Sequence, residues 1–135
     1  MGNLNIAEKM IIKAKESGAH YAKFQTWSVE RLKNGSWDND GRREIYISAE
    51  LSIEKHKSLI TLCNKNDIDF FSSSFSIPDA ELLRELGVNI IKIPSFEIGN
   101  NELLNYCKEN FDQIYISTGT STWDEVKNLK NIFKD

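Results

Sequence analysis

The chain has 135 residues, 40% apolar and 27% charged, the make-up of one ordinary soluble domain with a modest core and not of a disordered tail. Its 17 basic and 20 acidic side chains leave a net charge of −3 with no Lys/Arg block, which argues against a phosphate-backbone footprint and so against nucleic acid as a partner. No apolar run approaches the ~18 residues of a membrane span, and the opening "MGNLNIAEKM" has neither the basic region nor the apolar stretch of a signal peptide, so the expectation is a cytoplasmic chain with no membrane partner.

In chain order, "NIAEKMIIKAKES" places Ile6, Met10, Ile11 and Ala14 on one helical face, with Asn5 and Glu8 at capping-box spacing and Gly18 at the end. "HYAKFQT" follows as a strand. "SIEKHKSLITLCNK" reads as a helix capped by Ser52, and "IDFFSSS" as a second strand. "SIPDAELLRELG" has Ser76 and Asp79 at capping-box spacing, Pro78 in the first turn and Gly87 at its close. "VNIIKIPS" is the third strand; "NNELLNYCKEN" and "IYISTGT" repeat the helix-then-strand order, and "STWDEVKNLKNIF" ends the chain as a fifth helix opened by Ser121 and Asp124.

Strands alternating with helices imply right-handed βαβ units and a parallel sheet in an α/β fold. The exception is "WSVERLKNGSWDNDGRREIYISAE", a long polar connection at the carboxyl end of the first strand, where α/β folds bind ligands. Four strands with five helices is an interrupted repeat, because the first helix has no strand before it. A (β/α)₈ barrel needs ~250 residues, so the expectation is a partial (β/α)₈ TIM barrel, with the first strand and the later strands absent.

Cys63 and Cys107 are too few and too far apart for a zinc or redox motif and read as reduced, buried thiols. His56 falls in a polar, solvated-looking part of a helix and His20 just before a strand, which gives no metal site in this chain.

The strand ends carry the chemistry. Lys23 and Gln25 share one side of their strand by alternation, and a lysine on a buried strand costs several kcal/mol unless it meets an anion. Lys92 repeats that placement two strands later, and Ser73, Ser95 and Ser117 supply hydroxyls at the neighbouring strand ends, as charge-assisted binding of a phosphate or carboxylate requires. Lys92 and Ser95 differ in parity, so Pro94 must break the strand for both to face one ligand, and Glu97 would then share a side with Ser95.

"AKFQTW", "FFSSSFS", "KIPSFEI" and "ISTGT", in this order and at these separations, resemble the N-acetylneuraminate (sialic acid) synthase family over nearly the whole chain. The resemblance implies a barrel enzyme that condenses phosphoenolpyruvate with an N-acylated hexosamine such as N-acetylmannosamine, releasing phosphate, with a divalent metal (Mn or Mg). It implies that Lys23 and Gln25 lie beside the phosphoenolpyruvate carboxylate and the reacting carbons, that Lys92, Ser73, Ser95 and Ser117 hold the phosphate, and that Glu97 handles protons as the third catalytic residue. The sequence departs from the family at Ser73 and Ser74, where Thr-Pro is typical. It also lacks the family's first strand, of whose turn Gly2 would be the last residue, and the later strands that carry the metal ligands. Residues 1–135 are therefore expected to be a fragment of the synthase barrel domain, inactive alone and acting as a homo-oligomer or with a complementing chain. The alternatives are a non-catalytic phosphate-binding half-barrel and a split chain that works by association.

Overall fold

The structure, a computed structural model, describes residues 2–134. Among the described residues it has four parallel strands, in the sheet order β1-β2-β3-β4, and six α-helices. The chain forms two compact units divided between Phe70 and Phe71.

In the first unit, α1 (Leu4–Glu16) is capped by Asn3, whose Oδ1 accepts from the N–H groups of Asn5 (2.9 Å) and Ile6 (3.2 Å). The cap lies two residues before the Asn5 read from capping-box spacing, because Asn3 is the last residue with extended backbone and Asn5 is already helical. After Gly18, which turns with φ +84°, the chain enters β1 (Tyr21–Thr26). The helix packs on β1 and on α3 (Ile53–Lys65), burying Ile11, Leu59 and Cys63. The expected apolar face of α1 is only partly covered: Ile6 and Met10 are 58% and 67% exposed and, with Ala14, line a cavity of about 660 Å³ along β1.

The long connection after β1 is ordered. It holds 3₁₀ turns at Val29–Arg31 and Ser36–Asp38 and the helix α2 (Arg42–Ala49), a sixth helix where the sequence pattern gave five. The eight residues of α2 bury none of their side chains, so the helix lies outside the packed core, and its short span inside a polar connection reads as loop. Local contacts hold it: Arg42 donates to the Asp40 carboxylate and lowers its pKa, and Tyr46 meets the Trp37 ring at 5.3 Å. Both ends of the connection are fastened. The Val29 N–H donates to Glu50 Oε2 (2.9 Å), and Thr26 Oγ1 lies 2.9 Å from His56 Nε2.

His56 is fully buried, which corrects the expectation of a solvated position. Its polar neighbours Lys55 and Lys57 sit on other faces of α3, while His56 is in phase with the buried Leu59 and Cys63. The ring Nδ1 lies 2.9 Å from Ser52 O, a group that can only accept, so Nδ1 carries a proton, and Nε2 faces the Thr26 hydroxyl. His56→Ala empties a fully buried site and takes the ring from the buried Thr26 hydroxyl, and should cost ~2–4 kcal/mol. An unchanged urea midpoint would contradict this account.

In the second unit, β2 (Asp69–Ser74) continues from the first, and β3 (Ile90–Ile93) and β4 (Gln113–Ile116) follow with parallel pairing. Ser76 caps α4 (Ile77–Glu85), accepting from the Asp79 N–H and donating to its carboxylate (2.6 Å). With α5 (Asn101–Asn110), α4 forms the main helical layer. Leu83, Ile91, Ile93, Leu103 and Leu104 are 0% exposed, and burial of each such side chain stabilises by ~1.5–3 kcal/mol. The last helix, α6 (Trp123–Ile132), starts one residue later than read: Thr122 is the cap and Glu125 completes the box. Thr120, at φ +64°, turns the chain just before it.

Burial pushes the Cys63 thiol up to about 11 and the Cys107 thiol up to about 12. An unfolded thiol loses its proton near the ordinary value of 9.0 while the folded ones keep theirs. The unfolded chain therefore binds fewer protons above pH ~9, and stability falls from there through the folded values. We expect a thermal midpoint that declines above pH ~9, less steeply in a Cys63→Ala, Cys107→Ala double variant; parallel profiles would remove the thiols as the cause. No helix among the described residues is long and apolar enough to cross a membrane.

Candidate functional site

In the first unit, alternation along β1 sends Ala22 and Thr26 into the interior while Lys23 and Gln25, on the other side, are exposed. Phe24 shares the side of Thr26 and stacks on Phe70 with centroids 5.2 Å apart. Lys23 and Gln25 therefore share one side of the strand, opposite the Thr26–His56 bond.

The second unit gathers Ser73, Lys92, Ser95 and Ser117 at the carboxyl end of its strands. Ser73 is the register partner of Lys92, and Lys92 of Tyr115, so the three stand in one row on one face. Ile91 and Ile93 point to the opposite face and are fully buried, which holds β3 by its apolar side and leaves Lys92 on the other. Ser73 is 0% exposed, and its Oγ meets no hydrogen-bond partner among the described residues. An unsatisfied buried hydroxyl costs ~1–3 kcal/mol, so this atom is open to an acceptor or donor from outside the described residues. Phe71, two residues earlier on the same face, meets the Tyr115 ring edge-on at 5.2 Å.

β3 stops at Ile93, and Pro94 leads into a 3₁₀ turn at Ser95–Glu97. The break expected at Pro94 is present, but strand parity does not extend past it. Successive residues of a 3₁₀ turn point ~120° apart, so Ser95 and Glu97 do not share a side as the alternation argument had it. Glu97 is instead 4% exposed while Phe96, between them, is 66% exposed. Ser117 donates its N–H to Ile93 O (3.0 Å), carrying the pairing one residue past β4. A Cβ on Gly119 would lie 4.0 Å from Ser95 Oγ, so the turn after β4 runs beside the turn after β3.

Asn100 was read only as the start of a helix. Its Nδ2 donates to Glu97 Oε2 (2.8 Å), and its Oδ1 accepts from the Leu103 N–H (3.2 Å) as the cap of α5. The signal available was an Asn three residues after the acidic residue and directly before a helix. Among the described residues, no three His, Cys, Asp or Glu side chains come together as a metal site.

The NeuB family profile matches residues 10–135. The chain belongs to the NeuB family. Among NeuB relatives, it is 35% identical to the N,N'-diacetyllegionaminic acid synthase of Legionella pneumophila, over 93% of this chain and 38% of that protein. It is 32% identical to the pseudaminic acid synthase of Helicobacter pylori, over 93% of this chain and 40% of that protein. The crystal structure of N-acetylneuraminic acid (sialic acid) synthetase from Leptospira borgpetersenii superposes with a TM-score of 0.88 at 31% identity, covering 98% of this chain and 46% of that one. This NeuB chain thus spans less than half the length of each of these relatives.

Proposed function

We propose that residues 1–135 are a segment of the barrel domain of a nonulosonic acid synthase. Its substrates are phosphoenolpyruvate and an N-acylated hexosamine such as N-acetylmannosamine. A new bond joins C3 of phosphoenolpyruvate to the sugar aldehyde carbon, water adds at C2, and the C2–O bond breaks to release phosphate. The observation that carries this reading is the Ser73–Lys92 row, in which a buried hydroxyl without a protein partner is register-paired to a lysine. In this reading Lys92, Ser73, Ser95 and Ser117 hold the phosphate as it leaves, charge-assisted donors being the strong ones for such an oxyanion. Glu97 moves protons where the tetrahedral centre forms and collapses. Lys23 and Gln25 act on the carboxylate and the reacting carbons. A divalent metal would activate the aldehyde in the complete enzyme; the described residues do not group to hold one. Support comes from the family and from relatives named as acid synthases. The decisive assay is phosphate release from phosphoenolpyruvate that requires both N-acetylmannosamine, or another N-acylated hexosamine, and Mn²⁺. Release without a sugar acceptor would overturn the proposal.

A further inference from the structure

We infer that Asn100 is the positioning residue for Glu97; this rests on the proton-handling role proposed for Glu97. The two residues are joined twice, by the Asn100 N–H to Glu97 O (2.9 Å) and by Asn100 Nδ2 to Glu97 Oε2 (2.8 Å). The orientation of the Asn100 amide is determined by its other bond. Oδ1 faces the Leu103 N–H, a donor, so Oδ1 must be the oxygen and Nδ2 must face the carboxylate. The backbone adds a further constraint: Asn100 has φ −84°, ψ 80°, and the Asn101 N–H donates to Gly99 O (3.1 Å), an inverse γ-turn centred on Asn100. The first turn of α5, anchored by the fully buried Leu103 and Leu104, thereby fixes one oxygen of the Glu97 carboxylate.

Glu97 stands on a one-turn 3₁₀ segment between exposed Phe96 and buried Ile98, past the end of the β3 ladder. Asn serves both bonds at once, as a helix cap through its oxygen and as a carboxylate donor through its nitrogen. Asp caps a helix equally well but has no donor and sets a second negative charge beside Glu97. Asn100→Asp therefore separates the positioning function from the capping function.

The first readouts are made on the 135-residue chain and need no turnover. In the parent chain, NMR should show Asn100 carboxamide protons exchanging at least ~10-fold more slowly than those of an exposed Asn, and three-bond couplings that report one Glu97 rotamer. Asn100→Asp should keep the slow exchange of the Leu103 N–H, the mark of an intact cap, while the Glu97 couplings become averaged. A single Glu97 rotamer in Asn100→Asp, or parent Asn100 amide protons that exchange as fast as exposed ones, would overturn the inference. In the enzyme that carries out the proposed reaction, Asn100→Asp should lower kcat by ~10–100-fold with KM for phosphoenolpyruvate unchanged. Loss of activity in Glu97→Gln without loss in Asn100→Asp removes the positioning role alone. Full activity in Glu97→Gln removes the reading of the site on which it rests.

Discussion

Lys92→Ala should lower phosphate release by at least ~100-fold in the active enzyme and should weaken binding of phosphoenolpyruvate to the 135-residue chain by a smaller factor. One hydrogen bond to a charged group is worth ~1.5–3 kcal/mol, and ~2.7 kcal/mol corresponds to 100-fold in rate. Lys92 would act on a leaving group whose charge rises as the C2–O bond breaks, so its loss is felt more in the transition state than in the ground state. The fold should tolerate the change. β3 is held by Ile91 and Ile93, both fully buried on the opposite face, and shortening Lys92 leaves them in place. Lys65→Ala, in the exposed last turn of α3, is the control for a general loss of positive charge. If phosphate release from Lys92→Ala stays within ~3-fold of the parent, the Ser73–Lys92 row is not the phosphate site.

The second large effect is on the 135-residue chain by itself, which should bind phosphoenolpyruvate yet show no turnover with N-acetylmannosamine and Mn²⁺. It spans 38% and 40% of the two synthases described above, and its described residues bring no metal-holding cluster together. A chain of that share carries only part of the groups the proposed reaction calls on, and the loss of a single such group costs orders of magnitude in rate. β1 and β4 also lie at the ends of the strand order, and open strand edges pair with other chains. Sedimentation should therefore show association that increases with concentration. Adding a polypeptide equivalent to the remaining part of the Leptospira synthetase should restore metal-dependent release. Turnover by the monomeric chain alone would contradict this prediction. A folded complex that binds phosphoenolpyruvate but releases no phosphate would favour the non-catalytic phosphate-binding reading.

The regular part of this architecture was legible because its signals are local and periodic. Val88, Ile91 and Ile93 bracket a strand between Gly87 and Pro94, and Ser52, Ser76 and the glycines at 18 and 87 mark element ends by backbone chemistry that needs no tertiary partner. The errors arose where a tertiary contact or a neighbouring turn decided the outcome. His56 looked solvated beside two lysines, yet its phase with Leu59 and Cys63 buries it against Thr26. Thr122 displaced Ser121 as the cap because the left-handed turn at Thr120 delays the helix. α2 is eight residues long, lies inside a polar connection and buries no side chain, so it reads as part of that connection. In the candidate site, Ser73 and Lys92 were legible as groups at neighbouring strand ends, but their pairing in one row comes from the sheet register, which alternation within a strand does not give. The relation of Ser95 to Glu97 was not legible, because alternation ends with the ladder at Ile93.

The fastening at both ends of the connection after β1 makes the segment inside it exchangeable. Thr26–His56 and Val29–Glu50 hold the two ends in place whatever lies between them, and each doubling of a loop with fixed ends costs only ~0.6 kcal/mol more in closure entropy. Residues 30–49 can therefore change in length and composition over generations without disturbing the strand that carries Lys23 and Gln25. The connection is in that sense a replaceable insert on a fixed frame.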